Sequence, residues 1–359
     1  GKYFATASND QTAKLWNVNT GKNYTFGGNV NYILDVTFSP DGKTMVYITS
    51  SDIKWIDTKN FKQIGYYGRS GAIFNRAKFL PNGKLLVTSH GTDGIYVFEP
   101  GTNTKPAKIP HSFTSISTLV LDPASHQMAI MGQGLTIEIW DYLTMQKTAF
   151  YHFDTEYETP NIGTTVKSVA FSPDGQWLAA CAYTGEMQIW NTVTKESKLS
   201  RPNDWMSQLE FSPDSKQLVG IGNKGFMRVW STQNWEPLFD ITGHQSTISS
   251  VHYHPAGQFI ATTYEGDQSG SNDYSIKFWS TENGVLLRSY QLTGYLPKFV
   301  GFLEGQNKIL IHREDEQFFV FDLDYLSLQQ LNSGATSNIS TTGYDLSQGR
   351  LAIARKDGS

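Results

Sequence analysis

A chain of 359 residues with 39% hydrophobic, 13% aromatic and only 17% charged residues, and with 32 glycines, suits a turn-rich all-β protein. A net charge of -4 with no basic cluster argues against a nucleic-acid partner, and the single cysteine, Cys181, excludes a disulfide framework. No run of 18 apolar residues could span a membrane, and no basic-then-apolar signal opens the chain.

The first residues, GKYFATAS, match the middle of the later SPDGKTMVYITS, so the chain starts inside a repeated unit. Residues 8–17 (SNDQTAKLWN) then give a turn and a strand. Asn9-Asp10 bends the backbone through side-chain hydrogen bonds, and after it Ala13 and Leu15 alternate with Lys14 and Trp16. Next comes 36–48 (VTFSPDGKTMVYI), two strands joined by a proline turn, followed by 50–57 (SSDIKWID). In that turn Pro presets φ, Asp bonds its own backbone and Gly supplies positive φ. The same couple returns at 77–89 and 93–99, 119–131 and 135–141, 169–181 and 185–191, 209–221 and 224–231, and 251–263 and 272–280. It weakens at 299–311 and 316–322, and starts once more at 341–353.

Aligned on the aromatic-then-polar pair, the marker positions are Trp16, Ile56, Phe98, Trp140, Trp190, Trp230, Trp279 and Phe321, in steps of 40, 42, 42, 50, 40, 49 and 42 residues. A period near 40–45 with four short strands per unit is the signature of a β-propeller. It overrides the two or three domains that length alone suggests.

Strand, SPDG turn, strand, S-x-D-x-T turn, strand and Trp-Asp together make a pattern that resembles the WD40-repeat β-propeller family over essentially the whole chain. SNDQTAKLW (8–16) and SNDYSIKFW (271–279) match that family's third-strand signature position by position. The sequence departs from it where Gly-His opens a unit only once, at Gly243-His244, and where the marker Trp is replaced by Ile56, Phe98 or Phe321. The resemblance implies a structural network of His, strand Ser or Thr, turn Asp and Trp indole. His244, Asp273 and Trp279 retain most of it, and Asp10 and Trp16 keep part. Elsewhere cohesion is expected mainly from apolar packing between blades, at about 1.5–3 kcal/mol for each buried large side chain.

The expected fold is therefore an all-β, WD40-type propeller of four-stranded antiparallel blades spanning 1–359 as one domain. Eight blades result if residues 338–346 supply the first strand missing from the N-terminal unit, which also hides two strand edges. Residues 351–355 would then duplicate the strand at 3–7. The alternative is seven blades at 29–331 with partial blades of neighbouring propellers. Both chain ends read as cuts within a longer protein, which would carry any further propeller or other domain.

No Walker loop, HExxH or G-x-S-x-G occurs, and no GxGxxG follows a strand. No catalytic residue, cofactor or metal is expected, and the chain reads as non-enzymatic. His252 and His254 share one strand face, but no carboxylate or Cys stands at ligand spacing, so a structural role is preferred to zinc.

By resemblance, loops joining fourth to first strands and second to third strands share one face. The two long steps come from such loops, 151–163 and 264–273. Insertions accumulate in exposed loops without any function. The functional reading is that Tyr151, Phe153, Asp154, Glu156, Tyr157, Glu265 and Asp267 mix acids with aromatics, as suits a basic or amphipathic peptide. Tyr32, Arg69, Trp205 and Tyr295 fall near the same face, and for Trp205 burial between blades is an equal expectation. The function expected is a scaffold that docks a protein or peptide, with no nucleic acid or membrane partner and a cytoplasmic location. The alternative is a sensor or regulatory propeller of a larger multidomain signalling protein.

Overall fold

The computed structural model describes residues 3–355 except 9, 18–19, 21, 29–30, 72, 91–93, 100–104, 110, 114–115, 133, 154–165, 183–184, 201–205, 245–246, 265–273, 292–296, 304–306, 314–317, 325–326, 332–338 and 346–349. From Ser327 onward it describes the backbone of three strands.

The repeats fold as an eight-bladed β-propeller. In chain order, blade 2 is Asp35–Phe38, Thr44–Ile48, Asp52–Asp57 and Gln63–Gly68; blade 3 is Phe74–Phe79, Leu85–Ser89, Ile95–Phe98 and Ala107–Ile109. Blade 4 is Ile116–Leu121, Gln127–Gly132, Thr136–Asp141 and Gln146–His152; blade 5 is Val166–Phe171, Trp177–Ala182, Met187–Asn191 and Ser197–Ser200. Blade 6 is Met206–Phe211, Gln217–Gly222, Phe226–Ser231 and Pro237–Thr242; blade 7 is Ile248–Tyr253, Phe259–Tyr264, Ser275–Ser280 and Leu286–Gln291. Blade 8 is Pro297–Leu303, Lys308–Arg313, Phe318–Asp322 and Ser327–Leu331.

Blade 1 corrects the sequence reading. It has five strands, in the order Asn23–Phe26, Ala13–Asn17, Tyr3–Ala7, Arg350–Arg355, Ile339–Asp345. The C-terminal segment does join the N-terminal sheet, as the eight-blade reading requires. It joins as a hairpin, however, and the strand against Tyr3–Ala7 is Arg350–Arg355, paired in parallel with Ala5 opposite Ala352 and Ala7 opposite Ala354. Both of these are second-type strands of a repeat, so they run the same way. An antiparallel ladder between them is impossible without reversing one of them.

The chain forms two compact units, 1–115 with 300–359, and 116–299. In each, the core lies in layers between neighbouring blades. In the first unit, Ala5, Leu15, Val36, Met45 and Tyr47 fill the layer between blades 1 and 2. In the second, Val219, Ile221, Val251, Ile260 and Trp279 do the same between blades 6 and 7. The fourth strands show the opposite pattern: Gln63–Gly68 and Leu286–Gln291 are largely exposed. Alternation along each inner strand thus serves two layers at once, which is why those strands read as nearly continuous apolar runs.

Apolar packing is not the only cement between first strands. The Asp35 carboxylate accepts the Ala77 N–H at 2.9 Å, linking blades 2 and 3. The Ser168 hydroxyl accepts the Leu209 N–H at 3.2 Å, linking blades 5 and 6. Between blades 6 and 7, Gln208 Nε2 donates to Val251 O at 3.1 Å and Glu210 Oε1 accepts the Tyr253 N–H at 2.9 Å. These polar ties went unnoticed in the sequence because each needs two strands about 40 residues apart to be set side by side.

Candidate functional site

In the first unit the loops of the two kinds are stitched together by backbone hydrogen bonds. Ile33 N–H donates to Ser8 O at 3.0 Å, Leu34 N–H to Ile48 O at 2.8 Å, Arg69 N–H to Ser51 O at 3.0 Å and Phe74 N–H to Ser50 O at 2.8 Å. These two fourth-to-first loops are thereby pinned beside second-to-third loops, and this holds Tyr32 and Arg69 on adjoining loops. The Tyr32 ring is 57% exposed and the Ile73 side chain 55%. Arg69 is half-buried, its guanidinium 5.2 Å from the centre of the Tyr96 ring.

Beside Tyr32 lies a cleft of about 310 Å³ lined by Gln11, Asn31, Tyr32, Leu34 and Ser50. A polar chain backs it. Asn31 Nδ2 donates to Ser51 Oγ at 3.1 Å, and Ser51 Oγ to Asp52 Oδ2 at 3.0 Å. Thr49 Oγ1 donates to the same carboxylate at 3.2 Å and Tyr66 OH at 2.7 Å. Sequence reasoning singled out Tyr32 and missed Gln11, Asn31 and Ser50; the only signal was their place in loops of the right kind.

In the second unit the exposed reading of two residues is overturned. Tyr151 is 7% exposed and Phe153 fully buried, packed on Trp190 of the next blade at ring-centre distances of 5.3 and 6.1 Å. The fourth strand of blade 4 runs to His152, and Phe153 N–H still pairs with Leu135 O at 2.8 Å, so both side chains remain in the inter-blade layer. Only the Tyr151 hydroxyl reaches outward, accepting from Lys195 Nζ at 3.2 Å. Asp154, Glu156, Tyr157, Trp205, Glu265, Asp267, Asp273 and Tyr295 lie outside the described residues.

The structural network is seen in blade 7. Thr262 Oγ1 lies 2.8 Å from His244 Nε2 and accepts the Trp279 indole N–H at 2.8 Å, with all three side chains buried. In blade 1, Trp16 Nε1 donates to Thr6 Oγ1 at 3.0 Å, while Asp10 Oδ1 accepts both the N–H and the hydroxyl of Thr12, at 2.8 and 2.6 Å. Blade 4 solves the same problem differently, with the Trp140 indole donating at 3.0 Å to buried Glu138, which is paired at 3.3 Å with Lys147. The two histidines on one face have separate partners: His252 Nδ1 is 3.0 Å from Glu210 Oε2, and His254 Nδ1 accepts the Ala256 N–H at 3.3 Å. Burial pushes the Cys181 thiol up to about 12, which closes thiolate chemistry to it.

Two stretches, 158–191 and 235–280, match the family model described as "WD domain, G-beta repeat". The chain is similar to WD repeat-containing protein AAC3 of Dictyostelium discoideum, at 29% identity over 38% of this chain and 30% of that protein. It is also similar to periodic tryptophan protein 2 of Arabidopsis thaliana, at 24% identity over 53% of this chain and 21% of that protein. The matches thus span about a third or less of these two relatives. Among solved structures, the dihydro-heme d1 dehydrogenase NirN in complex with DHE superposes with a TM-score of 0.71 over 92% of this chain and 73% of that one, at 14% identity, a likeness of fold alone. Among the described residues no helix is long and apolar enough to cross a membrane. Propellers with such repeats serve generally as protein-interaction scaffolds. The repeated Trp-polar strand ends, the Thr-held indoles, the blades and the matching repeats all agree in likening the chain to the WD40-repeat β-propeller family, whose model matches it at 158–191 and 235–280.

Proposed function

We propose that this propeller is a non-enzymatic scaffold that docks a protein or peptide partner on the face formed by its fourth-to-first and second-to-third loops. The observation that carries this reading is Tyr32: a large aromatic residue, more than half exposed, fixed beside a cleft by the Ile33 and Leu34 backbone hydrogen bonds after it and the Asn31 side-chain bond to Ser51 before it. Rigid aromatic anchors with a nearby arginine are what interface hot spots are made of. Tyr151 and Phe153, buried against Trp190, fall out of the proposed surface, and 154–163 and 265–273 lie outside the described residues. A reducing compartment such as the cytoplasm suits a thiol that is buried and unbridged.

Site-specific photocrosslinking tests the reading. A benzoylphenylalanine placed at Tyr32 should capture a discrete partner in cells of the source organism. The same group at Phe150, 67% exposed on a fourth strand, should not. Capture at Phe150 alone, or at neither position, would overturn the assignment of this face.

A further inference from the structure

Resting on that reading, we propose that the cleft lined by Gln11, Asn31, Tyr32, Leu34 and Ser50 receives a cationic side chain, lysine or arginine, from an extended segment of the partner. Its size is the first reason. At about 310 Å³ it stands at the lower end of the range of small-ligand pockets, roughly 300–1,000 Å³, which suits one long side chain better than a folded element.

The lining is the second reason. Lysine and arginine are amphipathic, with an apolar stem and a head made only of donors. Leu34 and the exposed Tyr32 ring offer apolar surface to a stem, and the ring face also attracts a cation. Around them stand acceptors. Asn31 turns its amide nitrogen to Ser51, which orients its carbonyl oxygen as the acceptor end, and Gln11 and Ser50 add two more polar side chains.

Charge is the third reason. Asp10 immediately precedes Gln11 in the chain, with its Oδ1 held by Thr12, and Asp52 follows Ser50 by two residues, with its carboxylate held by Thr49, Ser51 and Tyr66. Asp52 is coupled to the lining through the Asn31–Ser51–Asp52 hydrogen bonds. Arg69, the cation of the adjoining loop, is held over the Tyr96 ring in blade 3. Two acids next to the lining in sequence, with no cation among the lining residues, complement a positive group, and the lining oxygens can hydrogen-bond it.

Fluorescence anisotropy with the 359-residue chain gives the test. The probes are three labelled nine-residue Gly/Ser peptides with Arg-Lys-Arg, citrulline-glutamine-citrulline or Glu-Glu-Glu at the centre. The basic peptide is expected to bind at least tenfold tighter than the neutral one and to weaken as salt is raised. Tyr32→Ala should cost about fivefold or more, and Gln11→Lys, which sets a like charge in an exposed lining position, should abolish binding with an unchanged melting temperature. Equal binding of the basic and neutral peptides, tighter binding of the acidic one, no binding of any, or full binding by Gln11→Lys would each overturn the proposal. A partner captured at Tyr32 through a segment without lysine or arginine would overturn this inference alone and leave the scaffold reading standing.

Discussion

At the scale of single residues, Asp35 shows how a polar group can serve a core position and leave a mark on stability. Its carboxyl accepts two backbone N–H groups, from Val36 and from Ala77 of the next blade, each at 2.9 Å. Burial nevertheless pushes it up to about 6 from an ordinary 3.8, against the lowering effects of the Ala77 amide and the charges of Arg76 and Lys78. The ionised form is thus less favoured in the folded protein than in the unfolded chain, and the folded state holds the proton from about pH 4 to about pH 6. The stabilising contribution is complete below the unfolded value and lost as pH rises through the folded one. At about 1.4 kcal/mol for each tenfold change in proton affinity, the gap between those two values corresponds to about 3 kcal/mol. Asp41 and Asp141 act in the opposite sense: the Lys43 and Thr144 amides hold them below the usual range, so their contribution is present above that range and lost on acidification. The difference between the native chain and Asp35→Asn cancels those two contributions. In urea unfolding that difference should fall by about 3 kcal/mol between pH 4 and pH 7 and level off above; a difference that does not change with pH would refute the assignment.

At the scale of elements, the turn from third to fourth strand repeats one solution with different side chains. In residues 57–61, 141–145, 191–195, 231–235 and 280–284 the fifth N–H donates to the first carbonyl at 2.8–3.0 Å. That fifth residue takes left-handed backbone, at φ 60° for Phe61, 57° for Met145, 65° for Lys195, 62° for Trp235 and 70° for Gly284. A side chain there costs about 1 kcal/mol or more, so each non-glycine needs compensation. Phe61 stacks on Tyr24 of the preceding blade at 3.6 Å between ring centres, and Trp235 meets Trp177 edge-on at 4.9 Å. At Gly284 the roles reverse, because Phe239 of the preceding blade fills the space and a β-carbon would stand 2.6 Å from its Cδ2. Gly284→Ala should therefore destabilise by about 1–3 kcal/mol, whereas Met145→Gly should be neutral or stabilising by up to about 1 kcal/mol. Thermal melting of the two variants would contradict this account if the shifts had the same sign and size.

At the scale of the molecule, blade 1 joins the two ends of the chain, with Tyr3–Ala7 as the hinge of a five-stranded sheet. Removing residues 338–359 should expose one edge of that strand. Amide exchange at Ala5 and Ala7, whose N–H groups face Arg350–Arg355, should accelerate at least tenfold, while Thr6, which faces Ala13–Asn17, and Val219, Ile221 and Val251 in the second unit keep their protection. Unchanged exchange at Ala5 and Ala7 would mean that the parallel pairing contributes nothing. The propeller architecture was legible in the residues because its cause is local and repeated: a proline turn, a polar turn and a Trp-polar strand end, returning about every 40–50 residues, dictate the same strands each time. The place of Tyr32 in a fourth-to-first loop was legible for the same reason, and its exposure there is seen in the fold, while its role in docking is the proposal. What tertiary structure alone decided depends on contacts between distant segments. It buried Tyr151 and Phe153, because Trp190 of the next blade takes them into its layer; it assembled the cleft from three separate loops; it tied blades through Asp35, Ser168 and Glu210; and it set Arg350–Arg355 parallel to Tyr3–Ala7. Periodicity specifies what each strand is, but the free energy of the strand that lies beside it comes from residues elsewhere in the chain, and that pairing is invisible until the blades are stacked.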